Sequence, residues 1–485
     1  MFIGIDIGTS GIKALLVDEK QNIIGSWTEP LTVRRLHPSW SEQDPDQWLK
    51  AIYHTLDMLQ DQYPQEVSLV EAIGLSGQQH GAVFLDEKGQ VLRPCILWND
   101  TRADKECAIF ENRFPDGPKI LGSITMPSFT APKVLWVAKN EPEIFSKTRH
   151  VLLPKAWVRY ALTGIMAEDM SDASGTAWLD VKKRSWSEAA LKASGINMSY
   201  MPDLCEGTDR AGYLKADLAS RWKMKKRPIF AGSAGDNAAG AIGLGAINKG
   251  DSFVSLGTSG VLWMTTDSYC PNPETAIHTF CHALPNRWHQ MGVMLSAAAS
   301  FKWWADLCHE KEETLLAELP KTIKEPSPVL FAPYLAGERT PYNDGRVRGG
   351  FVGLTQDATR AQMTQAVLEG VAYSFRDAFE GFLKTGQAPL TADVIGGGSK
   401  STLWVSIIAS VLNMPLNKIK HGEQGGAFGA ARLARLALTG EKIEEVCTSP
   451  ERINCIKPDK ELKQAYAENY KRYRLLYPAL KAFRN

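Results

Sequence analysis

At 485 residues the chain exceeds what one compact core can hold, and two large domains are the default expectation. With 55 basic against 54 acidic residues its formal net charge is +1, so charge balance draws it neither to nucleic acid nor to an anionic membrane. No apolar run approaches the roughly 20 residues that cross a bilayer, and the eight cysteines form no CxxC pair, so a reduced, cytoplasmic protein is expected.

The opening stretch MFIGIDIGTSGIKALLVD reads as a buried strand, a Gly-Thr-Ser-Gly turn and a second strand, without the charged n-region of a secretory signal. Asp6 stands inside the first strand, where an ionised carboxylate is costly unless paired, hydrated or metal-bound. SLVEAIGLSGQQHGAVFLD follows as strand (72–76), glycine-bounded loop and strand. TAPKVLWVAKNEPEIF and LLPKAWVRYALTG carry helical spacing, the second closed by Gly164 as C-cap. The basic run RWKMKKR (221–227) reads as solvated surface. PIFAGSAGDNAAGAIGLGAI is strand, glycine loop, then a small-residue helix starting near Asp236.

SFVSLGTSGVLWMTT (252–266) lays Gly257-Thr258-Ser259-Gly260 over Gly8-Thr9-Ser10-Gly11. Val254 then falls on Ile5, Leu256 on Ile7, and Ser255 on Asp6, which marks an internal duplication. Because the second copy does without the carboxylate, the fold does not need it, and Asp6 becomes a functional candidate. HTFCHALPNRWH gathers His278, Cys281 and His282, an incomplete zinc set better read as core histidines. DVIGGGSKSTLWVSIIASVL repeats the strand, glycine run and helix order, and KELKQAYAENYKRYRLLYPALKAF reads as a packing helix with a Tyr/Leu core stripe. Alternating strands and helices imply an α/β protein with mixed sheets. The boundary is placed near Gly245, giving domains 1–245 and 246–485 packed around a cleft.

Three glycine-rich turns, Gly8–Gly11, Gly257–Gly260 and Gly396–Gly398, could let backbone N–H groups approach an anion. Any one alone has a steric explanation; together they could enclose a nucleotide's phosphates from both domains. Neither GxxxxGK[ST] nor GxGxxG in a βαβ setting is present, which disfavours P-loop and Rossmann readings.

The paired GT hairpins look like those of the sugar kinase/Hsp70/actin ATPase superfamily. SFTAPKVLWVAKN (128–140) and GGFVGLTQDATRAQMTQAVLE (349–369) resemble the two signatures of the FGGY carbohydrate kinases. GIDIGTSGIK, SGQQHG, LRPCILWNDTR, SDASGT, GDNAAGA, CHALPNRWH, YLAGERTP and GGGSKSTLW are similar to its xylulokinase branch, in family order along nearly the whole chain. The resemblance implies two RNase H-like domains, each with a mixed five-stranded sheet, closing on ATP. It implies ATP and Mg²⁺ as cofactors, D-xylulose as the sugar phosphorylated to D-xylulose 5-phosphate in xylose catabolism, no nucleic-acid or membrane partner, and a homodimer as one option for assembly.

Roles follow by resemblance. Asp236 matches the proton acceptor, with a helix cap as the competing reading, and Asn237 matches a substrate contact. Asp6 would face the ATP phosphates and help hold Mg²⁺ through water. Thr9, Ser10 and Lys13 on one side and Gly257 and Thr258 on the other would contact phosphate, Lys13 having a solvated hairpin lysine as its rival reading. Gly397, Gly398 and Thr402 match the adenosine-side loop. Gln79-His80 matches a substrate-contacting pair in which Gln79 departs from the common Met, so an amide replaces a nearly apolar thioether. Trp98 could wall the pocket but reads first as a core tryptophan, and LAGERTPYND as a loop near the cleft without a catalytic role. The alternatives are an FGGY kinase for another ketose, polyol or sugar acid, and an actin- or Hsp70-like ATPase directed at protein. The Asp236-Asn237 pair suits small-alcohol chemistry better than the latter.

Overall fold

The computed structural model describes residues 1–420 and 425–483. Its first sheet is built from β1 (Phe2–Ile7), β2 (Gly11–Val17), β3 (Ile23–Pro30), β4 (Ala72–Gly77), β5 (Arg210–Tyr213), β6 (Ile229–Ala231) and β7 (Ala234–Gly235). The order is β5-β6-β4-β1-β2-β3, with β7 on the far half of β4. The second sheet comprises β8 (Ser252–Leu256), β9 (Gly260–Thr266), β10 (His278–Cys281), β11 (Trp288–Met294), β12 (Ala392–Ile395), β13 (Leu416–Ile419) and β14 (Arg452–Ile456), in the order β10-β11-β9-β8-β12-β13-β14.

The duplication read from the two GT hairpins extends through both sheets. In each, three antiparallel strands (β3-β2-β1 and β11-β9-β8) are followed by two strands parallel to the innermost one (β4-β6 and β12-β13). That five-stranded mixed unit is the expected one, and short added strands widen each sheet to seven. The two hairpins close differently. The last pair before the first turn is Ile7 with Ile12, whereas Leu256 pairs with Gly260, so the second turn is one residue tighter.

Helix α1 (Thr130–Asn140) stops at Glu141, and a separate short helix begins at Pro142. The single helix expected over this stretch breaks there because proline has no N–H to donate and restricts the residue before it. The helix 154–163 ends on Gly164 in the left-handed conformation (φ 82°), as its turn chemistry requires. Helix α2 (Asp236–Gly243) follows β7 directly, and α3 (Thr402–Leu412) follows the glycine run after β12.

Helix α4 (Gly425–Thr439) comes from the second half of the chain yet lies on the first sheet, against β1, β4 and α2. The approach is backbone to backbone. A Cβ on Gly4 would stand 1.8 Å from the Ala427 carbonyl oxygen, and one on Gly74 would stand 1.9 Å from that of Ala430. Residues of α2, α4, β8 and β9 share one apolar cluster with Phe2, Leu15 and Val17, so the two sheets are joined by a dry core. In the C-terminal helix 462–473, Leu462, Tyr466 and Tyr473 are buried, in keeping with the expected core stripe. Among the described residues no helix is long and apolar enough to cross a membrane.

Candidate active site

The parallel register of β1 and β4 sets Asp6 beside Ser76, whose hydroxyl donates to Asp6 Oδ1 at 2.6 Å. The antiparallel register of β1 and β2 sets Lys13 directly across from Asp6, on the same face of the sheet. Burial raises the Asp6 carboxyl above its usual range, opposed by the Ser76 hydrogen bond and the Lys13 charge. Lys13 is therefore a partner of the candidate metal carboxylate as well as a hairpin lysine.

Strand β7 continues along β4, so Gly235 lies opposite Gly77, and the chain turns from there into α2. Gly235 is the N-cap, and Asp236 is the first residue inside the helix. The capping reading of Asp236 therefore fails. Its Oδ1 accepts from the Asn237 backbone N–H (2.7 Å) and side-chain amide (2.9 Å). Burial, reinforced by the negative charge of Asp6, pushes Asp236 up to about 7, against those two hydrogen bonds. A carboxyl poised there can take a proton from an alcohol near neutral pH. A cavity of about 170 Å³ opens between α2 and the second sheet, lined by Asp236, Asn237, Ser255, Ile395, Gly425 and Gly426 among others.

Gln79 reaches the same region, and His80 follows it in the chain. Gln79 is buried against Gly235, and its Nε2 donates to the Ser171 carbonyl at 3.2 Å. The Ser171 hydroxyl in turn accepts from the Gly235 N–H at 3.1 Å, so one residue steadies both Gln79 and the entry to Asp236. His80 Nδ1 lies 2.7 Å from the Gly175 carbonyl oxygen. A carbonyl only accepts, so Nδ1 carries the proton, and Nε2 is left as an acceptor for a hydroxyl. Burial pulls the imidazole down to about 3, so it stays neutral.

At the first hairpin the Thr9 hydroxyl donates to Gln78 Oε1 (3.0 Å) and accepts from Trp98 Nε1 (2.9 Å). With that hydroxyl occupied, Thr9 offers an anion its backbone rather than its side chain. Trp98 is 40% exposed, which corrects the core reading: its ring stands over the hairpin because its N–H is held by Thr9. Ser10, Thr258 and Ser259 are exposed at the two turns. The carbonyls of Gly257 and Thr258 accept from Ala297, Ala298 and Ala299 at the start of the helix 298–307, which braces the second turn.

In the third glycine run the residues divide. A Cβ on Gly398 would strike Leu256 and Trp404, whereas Gly397 faces open space. Thr402 is exposed, and its hydroxyl accepts from Lys418 Nζ at 3.3 Å. No hydrogen bond joins Thr402 to the Asp6–Asp236 group among the described residues.

The segment that supplied the incomplete zinc set sends its side chains to separate partners. His278 bonds the Ser123 hydroxyl, His282 the Ala246 carbonyl and Cys281 the Val181 carbonyl. Glu168, Asp169 and Asp172 converge within 4.8 Å, but the Lys155 ammonium sits among them at 2.6, 2.9 and 3.4 Å. That cation already occupies the place an ion would take. Asp6 fits a hydrated divalent cation better. Ser76 takes Oδ1 and leaves Oδ2, and a cation there would relieve the repulsion between Asp6 and Asp236.

Three parts of this site were missed in the sequence. The start of α4 touches Asp6, since a Cβ on Gly426 would lie 3.0 Å from Asp6 Oδ1 and 2.3 Å from Ser76 Oγ. Its run of small residues, GGAFGAA, was the available signal. Ser171 lay within a quoted motif without a role, and so did Lys133.

Residues 1–243 match the N-terminal domain of the FGGY family of carbohydrate kinases, and residues 253–438 match its C-terminal domain. The chain is 43% identical over 487 residues to the xylulose kinase of Escherichia coli (strain K12), covering 100% of this chain and 98% of that one. It is 44% identical over 442 residues to the xylulose kinase of Klebsiella pneumoniae, 91% of each chain being covered. Among solved structures, a xyloylose kinase from Brucella ovis superposes with a TM-score of 0.96 at 49% identity, covering 99% of both chains. With both family domains matched in order over a duplicated pair of sheets, the chain belongs to the FGGY family of carbohydrate kinases.

Proposed function

We propose that this chain is a xylulokinase, transferring the γ-phosphoryl group of ATP to the 5-hydroxyl of D-xylulose. The observation that carries this reading is Asp236, the first residue of α2, with its carboxyl raised to about 7 and a buried Gln79 packed against the Gly235 that precedes it. The names of relatives 43–44% identical over 91–100% of the chain supply the sugar. Asp236 accepts the hydroxyl proton as the oxygen attacks phosphorus, while Asn237, Gln79 and His80 Nε2 orient the sugar. The turns at Thr9-Ser10 and Gly257-Thr258, with Lys13, grip phosphate from both sheets, and Gly397, Gly398 and Thr402 lie on the adenosine side. Asp6 would hold Mg²⁺ through water, and the ion supplies neutralisation of the transferring phosphoryl charge. The domain boundary of this reading falls at 245/246, with closure of the two halves excluding water.

Gln79 is the residue that could redirect the sugar choice. One N–H of its amide is engaged by the Ser171 carbonyl, which leaves the second N–H and the carbonyl oxygen to meet a sugar where a thioether would be nearly apolar. An ADP-release assay over ketoses, polyols and sugar acids tests the reading. Turnover is expected with D-xylulose. A response confined to another sugar would assign a different FGGY kinase, and ATP turnover indifferent to every sugar would remove the kinase reading.

A further inference from the structure

Lys133 lies in the first turn of α1 with no exposed surface. Among the described residues no carboxylate bonds it. The nearby Asp100 is engaged by Arg102 and by the Ser41 N–H. The Lys133 ammonium instead donates to two backbone carbonyls, those of His80 (2.8 Å) and Ser128. A buried ammonium without a counter-ion is costly, and burial draws its pKa down to about 7. Two carbonyls of a helix approach could be satisfied by neutral donors, so holding a lysine there calls for a reason.

His80 supplies it. Its backbone sits at φ 68°, the left-handed region that residues with a Cβ rarely adopt. Such strain persists only where surrounding contacts over-determine it. Here they do: the His80 carbonyl accepts from both Lys133 Nζ and the Thr130 hydroxyl (3.2 Å). The imidazole Nδ1–H donates to Gly175, and the ring packs on Phe129 with centroids 4.8 Å apart. Relaxing His80 to an extended or right-handed backbone would swing its carbonyl off the ammonium. It would also turn the imidazole away from Gly175.

We propose that Lys133 is a positioning residue for the sugar. Its ammonium clamps the His80 carbonyl and so holds the strained backbone that presents His80 Nε2 to a sugar hydroxyl. The inference rests on the reading of His80 as a sugar contact. It also gives the buried lysine of the first signature-like segment a task that packing alone does not.

Steady-state kinetics with D-xylulose and ATP varied in turn test it, on Lys133→Met, Thr130→Val, His80→Gly and the double variant Lys133→Met/His80→Gly. Lys133→Met removes a charge-assisted hydrogen bond and should raise the D-xylulose KM about tenfold or more, leaving the ATP KM unchanged. Thr130→Val removes a neutral donor to the same carbonyl and should raise it about threefold. Glycine accepts φ 68° without strain, so His80→Gly should itself raise the sugar KM, and Lys133→Met should add nothing on top of it. A parental sugar KM in Lys133→Met would overturn the clamp, as would a full further loss in the His80→Gly background. If Lys133→Met does not fold, Thr130→Val decides, a parental sugar KM there counting against the clamp. A parental sugar KM in His80→Gly would instead overturn the His80 reading beneath it.

Discussion

Replacing Asp236 by asparagine separates catalysis from stability in one variant. The asparagine Oδ1 can still accept from the Asn237 N–H and amide, and the helix is capped by Gly235, so no fold contact is lost. Asp236 moves from 3.8 to about 7 on folding, first through burial and then through the Asp6 charge. A native carboxyl raised in this way favours the fold fully below pH 3.8, and that contribution is lost as pH rises through 7. At 1.36 kcal/mol per pH unit the penalty approaches about 4 kcal/mol when the group is fully ionised, and its partial exposure to solvent reduces this to about 1–2 kcal/mol. Asparagine carries no such penalty. The variant should therefore melt about 2–8 °C higher than the parent at pH 8, at about 2–4 °C per kcal/mol for domains of 150–250 residues. The two should melt together at pH 4. Turnover should fall by about 10²–10⁴-fold, because an amide cannot take the proton. Differential scanning fluorimetry from pH 4 to pH 8, beside ADP release with D-xylulose, reads both. An active variant would remove Asp236 as the base, and a lower melting temperature at pH 8 would refute the electrostatic argument.

Asp6→Asn should lower activity strongly and shift the Mg²⁺ requirement upward, while Ser255→Ala, its counterpart in the second hairpin, should change little; equal damage from both in a Mg²⁺ titration would make Asp6 structural. Gly4→Ala should destabilise the protein by about 3 kcal/mol or more, since its Cβ would stand 1.8 Å from a carbonyl of α4. Gly397→Ala meets nothing within 4 Å and should leave the melting temperature unchanged while raising the ATP KM; a parental ATP KM would take Gly397 out of the nucleotide site. D-Xylulose together with a non-hydrolysable nucleotide should reduce the radius of gyration in small-angle scattering, and an unchanged radius with binding verified by calorimetry would count against closure.

Much of this protein was legible without coordinates because its signals are local. A glycine turn between two apolar alternations makes a hairpin wherever it occurs, and Gly164 ends its helix because only the left-handed conformation closes that turn. Repetition did the rest: Ser255 in the place of Asp6 isolated the one carboxylate the fold could spare. Contacts between residues far apart in the chain left no such trace. The seven-strand width of each sheet and the exposure of Trp98 depend on partners tens to hundreds of residues away. Helix α4 falls in the second half of the sequence, and its small-residue run was given no place in the site. Only the close approach of its backbone to Gly4 and Gly74 shows that it covers the first sheet and brings Gly426 to Asp6. Likewise Lys133 looked like one lysine in an amphipathic helix. Its meaning lies in a carbonyl 53 residues upstream, whose strained backbone no local pattern could have revealed.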